Sequence, residues 1–161
     1  MEKKVITIQY EVFSKEEELS QEDRHLLLEA KKVLANSHSP YSKFRVGAAI
    51  LLVNGAIVSG ANQENAAYPM CLCAERVALA GAVVQYPDIA IKKIAITVST
   101  PLVQVEKPAA PCGACRQVIC ETEDRFQEAI EIILQGETGE IFKLPSGRAL
   151  LPFAFDGGFL G

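Results

Sequence analysis

The sequence lacks the features that direct a chain to a nucleic acid or a membrane. Its 161 residues contain no cluster of Lys and Arg, and the formal net charge is −4, so a nucleic-acid backbone is not an expected partner. There is neither an apolar run long enough to cross a bilayer nor a signal peptide, which predicts a cytoplasmic protein without a membrane partner. Repeats and low-complexity segments are also missing. We therefore expect a single domain over residues 1–161, with residues 1–19 as an N-terminal arm.

Histidine is scarce, whereas cysteine is not. The two histidines, His25 and His38, lie on a predicted helix and in the loop after it, and neither is an expected metal ligand. The five cysteines are an odd number in a chain without a secretory signal. In a reducing compartment such cysteines indicate metal-binding or catalytic residues before they indicate disulfides.

The hydrophobic pattern predicts an α/β fold. Ser20 is a good N-cap for the first helix, and Asn54-Gly55 is typical of a hairpin turn. The predicted elements are a strand or extended arm over 4–13, helices over 20–36, 72–85 and 112–123, the hairpin, and strands over 91–100, 129–136 and 140–147. This order predicts a mixed sheet of about five strands with helices on both faces.

Two cysteine-bearing helix starts carry the strongest chemical signal. Cys112 and Cys115 form a C-x-x-C motif at a predicted helix N-terminus, where the helix dipole favours thiolate. Alone, this motif is ambiguous between zinc and thioredoxin-type redox chemistry. Cys73 opens another helix, and an α/β sheet brings the helix N-termini that follow neighbouring strand ends into one crevice. Three thiolates there predict a zinc site with an open fourth position.

A closed, structural zinc site is the alternative, with Cys71 as a fourth ligand. Two features weigh against it. The Cys71-Leu72-Cys73 spacing is tighter than the C-x2–4-C of structural sites, and Glu75 follows Cys73 by two residues. Cys-x-Glu followed downstream by Pro-Cys-x-x-Cys is the pattern of zinc-dependent nucleobase deaminases.

With these motifs the chain resembles the cytidine deaminase family, in its homotetrameric, three-cysteine form. Five blocks carry the resemblance, namely YSKFRVGAA (41–49), NQENAAY (62–68), CAER (73–76), PCGACRQVI (111–119) and LLPFAF (150–155). The resemblance implies a three-layer sandwich, one zinc per chain, and a homotetramer whose active sites are shared between subunits. It also implies pyrimidine salvage, in which cytidine and 2′-deoxycytidine are hydrolysed to uridine and 2′-deoxyuridine with release of ammonia.

The resemblance also implies a role for each matching residue. Zinc is assigned to Cys73, Cys112 and Cys115, and Glu75 shuttles protons while zinc-activated hydroxide attacks C4. Arg76 would hydrogen-bond the thiolates and tune the zinc, its plainer alternative being a surface arginine paired with a carboxylate. The expected substrate-binding residues are Phe44, Asn62, Glu64, Ala66, Tyr68, Ala74 and, from a neighbouring subunit, Phe155.

Several alternatives remain open at this stage. Asn62 and Glu64, expected to grip a ribose hydroxyl, could instead cap a loop. The substrate could be another cytosine nucleoside, such as an aminoacyl-nucleoside antibiotic, and the chain could be a non-catalytic four-cysteine zinc module. After Phe155 the chain continues Asp156-Gly157-Gly158, where the family usually has Gly-Pro.

Overall fold

A six-stranded mixed sheet forms the centre of the structure, a computed structural model that describes residues 1–160. The strands lie in the order β1-β6-β5-β4-β2-β3, with β4 and β5 parallel and all other neighbours antiparallel. They span Glu11–Phe13 (β1), Arg45–Leu52 (β2), Ile57–Ala61 (β3), Ile91–Ser99 (β4), Glu131–Gln135 (β5) and Ile141–Leu144 (β6). The predicted count of about five is one too low because three residues of the N-terminal arm pair with β6.

Three helices cover both faces of the sheet, as predicted. They are α1, Gln21–Val33, α2, Ala74–Gln85, and α3, Gly113–Phe126. Side chains of a strand alternate between faces, so Ala95 of β4 packs with α1 while its neighbours Ile94 and Ile96 pack on the side of α2 and α3. The fold is therefore a three-layer α/β/α sandwich, and α3 extends three residues beyond the predicted 112–123.

Local signals place the ends of these elements. The Ser20 hydroxyl accepts a hydrogen bond from the Asp23 N–H at 3.1 Å and caps α1. Gly55 has a φ of +87° in the hairpin turn, a conformation that glycine adopts without strain. A Cβ on Gly60 would lie 2.8 Å from the Ala74 carbonyl oxygen, so this glycine lets the first turn of α2 lie directly against β3.

The strand directions bring the two cysteine-bearing helices together. β3 and β4 are both antiparallel to β2, so they run in the same direction and their carboxyl ends reach the same edge of the sheet. The chain leads from β3 into α2 and from β4 into α3, which places both helix N-termini at that edge. The two strands are separated by β2, and in this detail the expectation of directly neighbouring strands is wrong.

A buried ion cluster joins α1 to β4, β5 and β6. Asp23, on α1, is 2% exposed and lies 2.5 Å from the Lys93 Nζ and 3.0 Å from the Lys143 Nζ. Lys93 also lies 3.0 Å from a Glu131 carboxylate oxygen.

Across the residues that the structure describes, no helix is both long and apolar enough to span a membrane.

Candidate metal centre and active site

Three cysteine side chains meet where α2 and α3 begin. Cys73 and Cys112 are the N-cap residues of these helices, and Cys115 lies in the first turn of α3. All three Sγ atoms lie within 4.8 Å of one another, with 4.0 Å between Cys73 and Cys112 and 3.5 Å between Cys112 and Cys115. A tetrahedral zinc with Zn–S bonds of about 2.3 Å needs Sγ separations of about 3.8 Å. The cluster therefore fits a zinc ion.

Hydrogen bonds between the thiols of this cluster shift their pKa values. The pKa of Cys73 is lowered to about 6, mainly because the Cys115 thiol hydrogen-bonds to its sulfur. The same contact, together with burial, raises the pKa of Cys115 above its ordinary value. Zinc binds thiolates and releases their protons on binding, so a cysteine that ionises near neutral pH favours metal uptake.

Cys71 does not join the cluster. Its sulfur accepts a hydrogen bond from the Asn65 N–H at 3.2 Å and lies 3.7 Å from the Asn65 carbonyl oxygen. Among the described residues, the group of possible ligands at this point consists of Cys73, Cys112 and Cys115. Three protein ligands with an open fourth position are typical of catalytic zinc, whereas structural zinc has four.

Glu75 lies in the first turn of α2, beside the metal centre but outside its group of ligands. Its side chain is 4% exposed, and burial raises the pKa of its carboxyl group above the ordinary 4.5. A buried carboxyl group beside a metal-bound position can both accept and deliver a proton.

A pocket of about 380 Å³ opens above the metal centre, within the usual size range of small-molecule sites. It brings Phe44, Asn62 and Glu64 to the same space as Cys73, Cys112 and Glu75. Cys71, the alternative fourth zinc ligand, also lines the pocket. The remaining lining residues were not singled out from the sequence, and they are Ser42, Val46, Gln63, Leu72, Ile96, Val98, Ala109 and Ala110. Ala109 and Ala110 had a usable signal, since they directly precede Pro111-Cys112. Val46 and Val98 are cross-strand partners, which requires the sheet register.

Asn62 and Glu64 hold the loop before β2 as well as facing the pocket. The Asn62 Oδ1 accepts hydrogen bonds from the Val46 N–H at 2.8 Å and the Ser37 hydroxyl at 2.6 Å, and its Nδ2 donates to the Phe44 carbonyl at 2.9 Å. The loop-capping alternative therefore describes real contacts of these residues. One of the two N–H groups on the Asn62 amide remains available.

Glu64 accepts hydrogen bonds from three donors. They are the Tyr41 N–H at 2.9 Å, the Ser42 N–H at 3.3 Å and the Ser42 hydroxyl. The Ser42 hydroxyl is the main reason why the pKa of Glu64 lies below its ordinary value. A carboxylate offers about four acceptor sites, so about one remains for a ligand.

Four expected substrate contacts, Ala66, Tyr68, Ala74 and Phe155, are not among the residues that line this pocket within one chain. Ala66 is exposed, and Tyr68 is 68% exposed, its ring packed edge-on against Tyr41. Phe155 is 57% exposed and stacks on Phe159 with the ring centroids 5.5 Å apart. Ala74 is fully buried as the first residue of α2.

Arg76 and Arg116, each in the first turns of a cysteine-bearing helix, differ in their contacts. Arg76 is exposed and makes no hydrogen bond or ion pair with residues 1–160, so neither the thiolate contact nor a carboxylate pair forms. Its charge still helps to lower the pKa of Cys73. Arg116, which the sequence did not single out, donates to the Pro111 carbonyl at 2.8 Å and the Leu150 carbonyl at 3.1 Å. It thus ties the residue before Cys112 to the C-terminal segment.

Comparison with known proteins adds independent information. Residues 20–128 match the family model for the cytidine and deoxycytidylate deaminase zinc-binding region. The cytidine deaminase of Halalkalibacterium halodurans is 40% identical over 134 residues, which are 83% of this chain and 94% of that protein. The cytidine deaminase of Sporosarcina psychrophila is 47% identical over 130 residues, or 81% and 88%. The crystal structure of cytidine deaminase from Burkholderia pseudomallei superposes with a TM-score of 0.72 and 35% identity, covering 85% of this chain and all of that one.

Proposed function

This chain belongs to the cytidine and deoxycytidylate deaminase family, and from that premise we propose that it hydrolyses cytidine and 2′-deoxycytidine to uridine and 2′-deoxyuridine with release of ammonia. One observation carries the proposal. A single pocket, lined by Cys73 and Cys112 of the three-thiol cluster that fits zinc, also has a buried carboxyl group and an apolar wall with polar groups at its edge. The cofactor is one Zn²⁺ per chain, bound by Cys73, Cys112 and Cys115.

The residues of the pocket suit a hydrolytic deamination. When bound, zinc activates water by lowering its pKa from 15.7 towards about 7. Glu75 accepts the proton of that water and delivers it to N3 of cytosine, which makes C4 more electrophilic. A C4–O bond forms, and Glu75 then takes the remaining proton of the new hydroxyl group and passes it to the exocyclic amine. The C4–N bond breaks, C4 becomes a carbonyl, and ammonia leaves.

The pocket also offers a binding mode for a nucleoside. Phe44, Val46, Ile96 and Val98 line it with apolar surface suited to a flat pyrimidine. The spare N–H of Asn62 and the spare acceptor site of Glu64 together suit a single hydroxyl, which accepts from one and donates to the other. We propose that this hydroxyl belongs to the sugar, with Ala66 and Ala74 contributing backbone contacts. Recognition through one hydroxyl is compatible with ribose and deoxyribose.

Glu64 also favours a nucleoside over a nucleotide. The family model includes deoxycytidylate deaminases, so both substrate classes need consideration. The lowered pKa keeps Glu64 ionised at neutral pH, and a carboxylate repels a nearby phosphate. We therefore propose that the preferred substrate is cytidine and not its monophosphate.

We further propose a homotetramer with shared active sites, acting in pyrimidine salvage in the cytoplasm. The exposed Tyr68 and Phe155, and Phe159 at 72% exposure, are large apolar side chains available to a neighbouring copy. The five free cysteines suit a reducing compartment. Light scattering measures the assembly directly, and a 17.5 kDa particle would contradict the tetramer.

The decisive experiment follows the ultraviolet absorbance of cytidine with wild-type protein and with Glu75→Ala at equal zinc content. We expect rapid loss of the cytosine band with the wild type and a rate lower by at least about 10²–10⁴-fold with Glu75→Ala, because the proton carrier is gone. Glu121→Ala removes an exposed carboxylate from α3 and serves as the control. Full activity of Glu75→Ala would refute the role of Glu75. Turnover of the monophosphate or of an aminoacylated cytosine nucleoside, without turnover of cytidine, would refute the substrate.

A further inference from the structure

We propose that Ser42 is a positioning residue that sets how strongly this site reads the sugar hydroxyl, because its own hydroxyl holds Glu64 and Phe44 in a fixed relation. Ser42 lines the pocket together with both of these residues. The inference rests on the proposed function, since it concerns recognition of the nucleoside in the same pocket.

The hydrogen bonds around Ser42 have a defined direction. Its Oγ accepts a hydrogen bond from the Phe44 N–H at 3.0 Å and is hydrogen-bonded to the Glu64 Oε1. A serine hydroxyl has a single proton to donate, and an ionised carboxylate can only accept. The Ser42 proton must therefore point to Glu64, while Phe44 occupies an acceptor site of the same oxygen.

The two oxygens of Glu64 are held differently. Oε2 accepts the Tyr41 N–H at 2.9 Å and the Ser42 N–H at 3.3 Å, and both donors belong to the backbone. The close contact of Oε1 is with the Ser42 hydroxyl, and the Ser42 N–H lies at a longer 3.4 Å. Removing the hydroxyl would leave the carboxylate anchored through Oε2 but would free the direction of Oε1. Oε1 is the oxygen with the spare acceptor site for a ligand hydroxyl.

Phe44 connects this arrangement to the base-binding part of the pocket. Its N–H is held by Ser42, and its carbonyl accepts a hydrogen bond from the Asn62 Nδ2 at 2.9 Å. The two peptide groups that flank Phe44 are thus hydrogen-bonded to Ser42, which contacts Glu64, and to Asn62, which is proposed to bind the sugar hydroxyl. A change in how Ser42 holds Glu64 should therefore alter nucleoside binding more than the chemistry at the zinc centre.

The test compares wild-type holoenzyme with Ser42→Ala and Ser42→Thr on cytidine, 2′-deoxycytidine and 3′-deoxycytidine. In the wild type, removal of the hydroxyl read by Glu64 should lower kcat/KM by about tenfold or more, as for a hydrogen bond to a charged group. Ser42→Ala should raise KM for cytidine about tenfold with kcat little changed. In that variant the penalty for the missing hydroxyl should fall towards onefold, and Ser42→Thr, which keeps a hydroxyl, should restore it.

The matched control is Ser59→Ala, which removes an exposed hydroxyl from β3 that makes no hydrogen bond within the described chain. Zinc content and Tm are measured for every variant. If Ser42→Ala weakens all three nucleosides equally, or leaves KM unchanged, Ser42 has no part in reading the hydroxyl and the inference is wrong. A zinc-loaded wild type that deaminates none of the three would overturn the proposed function as well, so the two failures are distinguishable.

Discussion

At the scale of single residues, Cys71 and Cys73 show how position decides the use of a thiol. One residue separates them, yet Cys73 faces two other cysteines while Cys71 is bonded to the backbone of Asn65. The difference arises because Cys73 is the N-cap of α2 and Cys71 still belongs to the preceding loop. The thiol at the helix start is the one that meets the beginning of α3.

Cysteine-to-serine substitutions test this division. Cys73→Ser should leave substoichiometric zinc, and deamination should fall by orders of magnitude, because the metal is what lowers the pKa of water towards neutrality. Cys71→Ser should keep about one zinc per chain and most of its activity. Metal analysis of the purified proteins, together with the cytidine assay, checks both. Loss of zinc from Cys71→Ser would show that Cys71 is a ligand after all.

At the scale of elements, α3 anchors the C-terminal segment through several side chains. Gln117 donates a hydrogen bond to the Phe155 carbonyl at 2.6 Å. Asp124 accepts two hydrogen bonds from Arg148, at 2.6 and 2.8 Å, and Arg148 also lies 3.4 Å from Asp156. Asp156, which stands where the family usually has glycine, thus supplies a second anion for Arg148. These contacts set where Phe155 is presented on the surface.

Arg148→Gln should therefore affect substrate binding more than stability. We expect KM for cytidine to rise several-fold, because Phe155 is proposed to reach the substrate of a neighbouring subunit. The free energy of unfolding should change by only about 0.2–1 kcal/mol, as for other exposed ion pairs. Steady-state kinetics and Tm measure the two effects. Arg24→Gln is the control, since it removes the same charge from α1 where no ion pair forms in the described chain. If Arg148→Gln leaves KM unchanged while Phe155→Ala raises it, the C-terminal segment keeps its position without Arg148 and the prediction is wrong.

At the scale of the whole molecule, the cluster around Asp23 links α1 to β4 and β6. Burial alone would raise the pKa of Asp23, but hydrogen bonds from Lys93 and Lys143 outweigh it, so that the pKa lies below the ordinary 3.8. Burial alone would lower the pKa of Lys93, but hydrogen bonds from Asp23 and the neighbouring glutamates raise it above 10.5. The ionised form of each group is therefore stabilised by its oppositely charged partners, and the cluster stabilises the fold only while these groups remain ionised.

Lys93→Met should lower the free energy of unfolding by about 3 kcal/mol at pH 7. The loss falls at the low end for a broken buried pair because Lys143 still contacts Asp23. The difference from wild type should be constant near neutral pH. It should shrink below pH 3.8 as Asp23 becomes protonated, since a lowered pKa gives stability that is lost as pH falls through it. Urea unfolding from pH 3 to 8 measures this. The control is Lys32→Met, which breaks the exposed pair with Glu29. It should lower the free energy of unfolding by less than about 1 kcal/mol. An equal decrease in both variants would contradict the prediction.

The sequence predicted the elements whose signals are local. Ser20, Asn54-Gly55 and the cysteines at the starts of α2 and α3 act through a few consecutive residues, so spacing and residue type were enough. The proposed zinc ligands and Glu75 were predicted in the same way, because the proposed chemistry requires those residue types at those separations. The pairing of the arm with β6 was missed, since an alternating segment does not reveal its partner.

By itself, the sequence determined the three-layer class of the fold, the family, and the residues able to hold zinc and carry a proton. Only the tertiary structure decided that β2 lies between β3 and β4, that Cys71 stays outside the metal centre, that Ser42 hydrogen-bonds Glu64, and that Phe155 is not part of the pocket of its own chain. The physical reason is distance along the chain. Contacts between remote segments depend on strand order and register, which no short stretch of residues contains.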